Sequence, residues 1–320
     1  MKTKETFDRI MAGEMSFGEI KDVLVRFHET GVTADDLADA AMAMREASVH
    51  VASPEGAVDI VGTGGDGFGT FNVSTTAAFI AAGAGATVAK HGNRASTSKS
   101  GAADCLGALG YNLDASVETV ERSMRDVGIG FLFANKLHPA MRYAAPVRKA
   151  LPFRTIFNLL GPLTNPCGVR RCALGVYSKE IIPLYIGALK RLGTDHAVVF
   201  SGPDGLDELG LSGVSYVSEL FADGEVKEYE FDPKRVFGDY RPIPAIAGGS
   251  PEVNAVITRT VLSGDMRGAY RNAAILNAAA ALVAAEKAKS LEEGVVLASA
   301  SVDLMAADTK CRAMIENSSR

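Results

Sequence analysis

Ala57-Val58-Asp59-Ile60-Val61-Gly62-Thr63-Gly64-Gly65-Asp66-Gly67-Phe68-Gly69-Thr70-Phe71-Asn72-Val73-Ser74-Thr75 is the stretch from which the rest of the chain can be read. An apolar, β-prone run over residues 57–61 breaks into the glycines Gly62, Gly64, Gly65, Gly67 and Gly69, then gives way to an Ala-rich helical segment near Ser74. That order predicts a strand, a loop whose backbone comes close to a ligand, and a helix whose N-terminus faces the same ligand. Free N–H groups at such a helix start, with the positive end of its dipole, favour an anion and phosphate above all. A plain turn does not require so many glycines, each of which loses conformational entropy on folding. Asn72, Ser74 and Thr75 stand where the helix begins, and capping there is compatible with reaching a ligand.

The loop also satisfies the dinucleotide-binding string Gly-x-Gly-x-x-Gly at residues 62–67, after a strand. That reading wants an acidic residue about 20 positions on to hold a ribose. No Asp or Glu occurs between Asp66 and Asp104, whereas Lys90, His91, Arg94 and Lys99 all fall in that gap. The local field suits a polyanion instead. The Gly-x-x-x-x-Gly-Lys-Ser/Thr string of nucleotide triphosphatases is absent from the sequence.

Outward from this stretch, strand-like and helix-like segments alternate: 57–61 and 74–83, 87–90 and 100–109, 128–133, 173–177 and 180–191, then 196–200. Such alternation predicts an α/β fold, a mostly parallel central sheet flanked by helices, with ligands at the carboxyl ends of the strands. Residues 213–235 alternate apolar and polar positions and are expected to be antiparallel; 268–288 and 291–315 are expected to be Ala-rich helices. Residues 1–49 show only helical spacing, as in Ile20, Val23, Leu24 and Phe27, with Thr33-Ala34-Asp35-Asp36 as a helix start. The expected division is a smaller all-helical domain over 1–52, with residues 139–166 packing on it, and an α/β domain over 53–320.

Hydrophobic residues make up 47% of the 320 and charged residues 22%, the balance of a soluble globular chain. A net charge of -5 argues against nucleic-acid or membrane-surface binding, which usually needs a basic excess. The cysteines Cys105, Cys167, Cys172 and Cys311 form no Cys-x-x-Cys pair and have no zinc-spaced His, so reduced and mostly buried thiols are expected. The first residues lack the apolar core of a signal peptide, and the longest apolar runs are too short and too rich in Ala and Gly to cross a bilayer. A cytoplasmic protein is expected.

Lys90-His91-Gly92-Asn93-Arg94 follows the second strand. Charge runs are commonly solvated and a lone His is commonly structural, but Gly92 and Asn93 end the strand and put Lys90 beside the glycine loop. Ser96-Thr97-Ser98-Lys99-Ser100, leading into a helix, reads as a second phosphate cradle. Asp207 and Glu208 adjoin each other, and adjacent carboxylates repel, so a cation is expected beside them. Mg²⁺ held by one or two carboxylates together with phosphates fits that need. Of Arg148 and Arg154, one is expected in a structural ion pair and the other free to clamp a carboxylate. His138, before Pro139, is expected to enter a helix.

Taken together, Gly62-Thr63-Gly64-Gly65-Asp66, Asn72-Val73-Ser74-Thr75, Lys90-His91-Gly92-Asn93, Ser98-Lys99-Ser100-Gly101, His138-Pro139-Ala140-Met141, the run from Arg154-Thr155-Ile156-Phe157-Asn158 through Leu160-Gly161-Pro162-Leu163-Thr164-Asn165-Pro166, and Gly205-Leu206-Asp207-Glu208 resemble the anthranilate phosphoribosyltransferases. That family shares its fold with the pyrimidine nucleoside phosphorylases, and the strings run in family order over about residues 10–310. The resemblance implies transfer of a phosphoribosyl group from 5-phosphoribosyl 1-diphosphate to the amine of anthranilate, with Mg²⁺, in tryptophan biosynthesis. It implies a donor site at Gly62, Gly64, Gly65, Asp66, Thr70, Asn72, Ser74, Thr75, Lys90 and Ser98, and metal held by Ser74, Asp207 and Glu208. It further implies that His91, Gly92, Asn93, His138 and Arg154 serve the aromatic acid, with Lys90 and Arg154 carrying the catalytic roles.

Family members usually carry another helix before Phe7-Asp8-Arg9-Ile10-Met11, and their N-terminal helices help form a dimer, so a homodimer here would rest on a shorter module. Ala102 and Gly210 stand where the family usually has hydroxyl residues. The competing expectations are a pyrimidine nucleoside phosphorylase and a non-catalytic nucleic-acid-binding relative, the second disfavoured by the charge.

Overall fold

The computed structural model describes residues 2–95 and 98–319. Three helices open the chain: α1 (Thr3–Ala12), α2 (Phe17–Thr30) and α3 (Ala34–Glu46). Ser16 and Thr33 begin α2 and α3 through capping boxes with Glu19 and Asp36, each pair satisfying backbone donors reciprocally. The alternation follows as β1 (Val58–Gly62), α4 (Val73–Gly83), β2 (Val88–Gly92), α5 (Ala102–Leu109), α6 (Val117–Asp126) and β3 (Ile129–Phe133). Short helices α7 (Ala134–Leu137), α8 (Met141–Ala150) and α9 (Phe157–Leu160) lead to β4 (Arg171–Gly175), α10 (Ile182–Arg191) and β5 (His196–Ser201). A hairpin of β6 (Ser215–Phe221) and β7 (Val226–Phe231) comes next. The chain then runs through α11 (Lys234–Phe237), α12 (Pro251–Leu262), α13 (Ala269–Ala284), α14 (Leu291–Asp303) and α15 (Ala306–Ser318).

Among the described residues the strands form one sheet in the order β3-β2-β1-β4-β5-β6-β7, parallel from β3 to β5 and antiparallel in β6 and β7. The fold is therefore α/β, a mostly parallel sheet flanked by helices, with a smaller all-helical part. The chain steps outward from β1 through β2 and β3, then returns to the other side of β1 to lay down β4. That reversal opens a crevice at the carboxyl ends of β1 and β4, the position where open α/β sheets bind ligands.

Two large apolar cores lie on opposite faces of the sheet, with a smaller third around Val51, Ala89 and Leu132. Ala173 and Val198 point into one, with Phe79 of α4 and Leu282 of α13, while Leu174 and Val199, one residue along, point into the other. The second core joins Phe7, Leu24 and Leu37 of the first three helices to Ala144, Val147, Phe157 and Leu160, so residues 139–166 pack on the N-terminal helices. It continues into Tyr185 and Ile186 of α10. Burial of α13 on all sides, from Ala273 to Ala284, is possible because small side chains let α4 and α14 approach it closely.

Several boundaries differ from the sequence reading. The helix expected over 291–315 is two, broken where Met305 takes a left-handed φ of 59°. The helix expected over 268–288 ends at Ala284. Helices α6 and α12 were not foreseen, although Ser116 and Ser250 cap them in the ordinary way. Among the described residues no helix is long and apolar enough to cross a membrane. Cys105, Cys172 and Cys311 are buried and Cys167 half-buried, all as free thiols.

Candidate functional site

Gly62 ends β1 beside Gly175, which ends β4. Asp207, from the loop after β5, lies over this pair: a Cβ on Gly62 would strike its carboxylate, and one on Gly175 its carbonyl. Two strand ends without side chains are thus what admits an acidic loop into the crevice. Beyond them Gly64, Gly65, Gly67 and Gly69 take left-handed φ values of 69°, 76°, 82° and 64°, which other residues resist.

Two amide donors here already have side-chain partners within the protein. The Gly64 N–H donates to Asp207 Oδ2 at 2.6 Å, and the Ser74 N–H in the first turn of α4 donates to Glu208 Oε1 at 3.2 Å. At these two positions the N–H groups expected to face a phosphate meet carboxylates instead. Orphan amides at the positive end of a helix attract the nearest anion, and here the protein's own carboxylates are within reach. Ser74, expected beside the metal, meets Glu208 through its backbone.

Asp207 and Glu208 are both buried. Burial, then the charge of Asp66, pushes the Asp207 carboxyl up to about 7. Burial and the neighbouring Asp207 push Glu208 well above the ordinary carboxylate range, with Lys90 opposing. Asp66 Oδ2 is buried without a hydrogen-bond partner. Three crowded carboxyl groups, one with an orphaned oxygen, repel one another when ionised, and a divalent cation would relieve that repulsion. Among the described residues no group of three or more His, Cys, Asp or Glu side chains is arranged to hold a metal ion alone. Mg²⁺ takes one or two carboxylates and completes its shell with water and phosphate oxygens.

Lys90, expected beside the glycine loop, is buried in β2 and turns its ammonium towards β1. Its Nζ donates to the Ile60 carbonyl at 2.6 Å and to the His91 carbonyl at 3.3 Å, leaving one of three N–H bonds. Burial lowers its pKa, and Asp59, Glu208 and Asp207 oppose that shift in decreasing order. Asp59 is itself buried in β1, where Oδ1 accepts the His91 N–H at 3.1 Å and Oδ2 accepts Asn165 Nδ2 at 2.9 Å. Sequence reading missed this knot, although an acid inside the apolar run 57–61 was the available signal.

The rings of His91 and His138 lie 5.2 Å apart, and the Nε2 atom of each is buried without a partner. Burial depresses both, His91 well below its ordinary value and His138 to about 4, so both rings are neutral at pH 7. His138 follows α7 as its C-cap rather than entering a helix. The exposed Arg154 places Nη2 on the Gly65 carbonyl and its guanidinium 4.6 Å from the centre of the Tyr177 ring. Arg148 lies 5.3 Å from the Phe157 ring. Among the described residues the salt bridges include neither Arg148 nor Arg154; each guanidinium lies against an aromatic ring.

Asp104 Oδ2 accepts the N–H groups of Ala95 at 2.8 Å and Gly101 at 3.0 Å, so the start of α5 is capped by its own acid. Ser98 remains exposed nearby, while Ser96 and Thr97 lie outside the described residues. Asn72 precedes α4 without capping it; its Nδ2 donates to the Ser100 carbonyl at 3.2 Å. Thr75 is buried in the first turn of α4, and Thr70 bridges to Ala247. Asn93, exposed, accepts the Ala103 N–H through its carbonyl, and Gly92 packs against Ala102 and Phe131. Gly210 has no space for a hydroxyl-bearing side chain, since its Cβ would run into Pro203.

Comparison with known proteins agrees with this geometry. Residues 54–307 match the model of the glycosyl transferase family, a/b domain. The anthranilate phosphoribosyltransferase of Rhodopseudomonas palustris strain TIE-1 is 47% identical over 311 residues, covering 97% of this chain and 91% of its own. The crystal structure of the Thermus thermophilus anthranilate phosphoribosyltransferase superposes with a TM-score of 0.94 at 42% identity, over 99% of this chain and 95% of that one. The Saccharomyces cerevisiae protein of the same name, in complex with PRPP and Mg, gives 0.90 at 30% identity over 99% and 92%. In complex with 4-fluoroanthranilate it gives 0.88 at 28% identity over the same shares. The likeness spans nearly the whole of every chain compared, and this protein belongs to the anthranilate phosphoribosyltransferase family.

Proposed function

We propose that the protein transfers the phosphoribosyl group of 5-phosphoribosyl 1-diphosphate (PRPP) to the amine of anthranilate, releasing diphosphate, with Mg²⁺ as cofactor, in tryptophan biosynthesis. The observation that carries this reading is the pairing of Asp207 and Glu208 with the amides of Gly64 and Ser74 in the crevice between β1 and β4. Amides of the glycine loop other than Gly64 suit a diphosphate, and the buried carboxylates beside them suit the cation that accompanies it. Mg²⁺ held by Asp207 and Glu208 would supply positive charge to the diphosphate as a leaving group.

The amine of anthranilate is a nucleophile in its neutral form, so no strong base is needed. Its nitrogen bonds to C1 of the ribose as the C1–O bond breaks, the electron pair leaves with diphosphate, and the amine proton passes to solvent. The loop amides and Lys90 act where negative charge grows, which is where fixed donors lower a barrier. The neutral rings of His91 and His138 offer the acceptor a site without net charge. Arg154, exposed beside Gly65, has the planar fork that a carboxylate accepts, and taking it would orient the amine.

Gly62, Gly65, Asp66, Thr70, Asn72, Thr75, Gly92, Asn93 and Ser98 complete the proposed binding surface. The division into residues 1–52 with 139–166, and 53–320, is part of the same reading, supported by the start of the family match at residue 54. So are a homodimer and a cytoplasmic location, the latter in keeping with free thiols throughout. The test is loss of anthranilate fluorescence on adding PRPP and Mg²⁺. No loss, or release of free base from uridine and phosphate, overturns the assignment.

A further inference from the structure

We propose that Asn254 is a positioning residue for the phosphorylated donor, holding Asn72 so that the glycine loop and the start of α4 stay in register with the 98–101 loop. This rests on the reading of the crevice as the donor site. Asn254 lies in the first turn of α12 and is 1% exposed. Its Oδ1 accepts the Gly249 N–H at 2.8 Å, and its Nδ2 donates to Asn72 Oδ1 at 2.8 Å. A flipped amide would turn Nδ2 towards an N–H and Oδ1 towards an oxygen, so the two bonds fix its orientation.

Asn72 is the meeting point. Its Oδ1 also accepts Ser100 Oγ at 3.1 Å, which uses both lone pairs, while its Nδ2 donates to the Ser100 carbonyl. The backbone of the segment before α12 reinforces the contact. The Gly248 N–H donates to the Gly69 carbonyl at 2.8 Å, the Phe71 N–H donates to the Ile246 carbonyl at 3.0 Å, and a Cβ on Gly248 would strike the Thr70 carbonyl. One turn along α12, Thr258 Oγ1 lies 2.9 Å from Thr76 Oγ1, bracing α4 from behind. Three separate segments therefore meet at one carboxamide.

The test uses the full chain, with PRPP and Mg²⁺ binding by calorimetry, steady-state kinetics in each substrate, and thermal unfolding. In Asn254→Ala the KM for PRPP is expected to rise about tenfold, the scale of one buried hydrogen-bond partner lost. The KM for anthranilate and kcat are expected to stay within about twofold. Adding Asn254→Ala to Asn72→Ala should weaken donor binding by less than about twofold more, since one acts through the other. Asn254→Asp keeps the shape and the Gly249 contact but sets an acceptor against Asn72 Oδ1, so it should lose donor affinity as the alanine variant does. It also carries the measurement if that variant does not fold. Equal losses in both substrates, additive losses in the double variant, or parental donor affinity in Asn254→Asp would each overturn the proposal. A parent that fails to bind PRPP with Mg²⁺ would instead overturn the reading of the crevice, and it would do so before any substitution is made.

Discussion

Asp207 carries a signature that can be read without substrate. Its pKa is raised from 3.8 to about 7, so the folded protein holds the proton more tightly than the unfolded chain does. Its contribution to stability is complete below about pH 4 and is lost as the pH climbs through about 7. Asp207→Asn has no such titration, so its stability relative to the parent should rise by about 1 kcal/mol or more between pH 4 and pH 7, measured by urea unfolding. Parallel curves for the two proteins would contradict the burial of that charge. His138 acts in the opposite sense: its pKa falls from 6.5 to about 4, so its contribution is present above pH 6.5 and lost towards pH 4. The difference between variant and parent, not the parent curve alone, therefore removes His138 and reads Asp207 together with Glu208, which Asp207 helps to raise. Arg154→Ala should raise the anthranilate KM about 10- to 100-fold and leave kcat less affected, and Arg154→Lys should restore little, because an ammonium cannot make the paired contact of a guanidinium. Unchanged kinetics would remove Arg154 from the acceptor site. At this scale the residue types at the site were legible, since glycines, adjacent acids and a basic run each state a chemical need. Their directions were not: whether Lys90 faces a ligand or the Ile60 carbonyl depends on Asp59 and Asn165, which come from other segments.

Between residues and fold, the glycines divide into two kinds that a sequence writes alike. Gly64 and Gly67 have left-handed φ with open space around them, whereas Gly62 and Gly175 are confined by Asp207. Gly67→Ala should therefore cost about 1 kcal/mol of backbone strain. Gly175→Ala should displace the acidic loop and weaken binding of PRPP with Mg²⁺ by about tenfold or more. Calorimetry on the pair checks this, and equal effects would mean that Gly175 makes no room for Asp207. Strand and helix alternation was legible because apolar runs, glycine breaks and Ala-rich segments agree with one another. Helix α12 was not, because it hides Asn254 and Thr258 and exposes Val253 and Val256, the reverse of the usual apolar stripe. The break at Met305 was equally hidden, since nothing in its type favours a left-handed φ.

Over the whole molecule, the decisive feature is the strand order, which no local pattern encodes: the crevice exists because β4 returns to the far side of β1. The parallel sheet itself was legible; the position of its switch point was not. PRPP with Mg²⁺ should stabilise the folded chain by about 2–3 kcal/mol at one hundred times the dissociation constant. The paired substitution Asp207→Asn with Glu208→Gln should abolish the share that depends on Mg²⁺, as thermal unfolding with and without the metal would show. The central claim is that a magnesium-bound diphosphate sugar is gripped where β1 and β4 end. A crystal soaked with PRPP and Mg²⁺ tests it most directly. Density for diphosphate beside Gly64 and the start of α4, with the metal against Asp207 and Glu208, is the expected result; the sugar bound anywhere else, or a metal that touches neither acid, would contradict it.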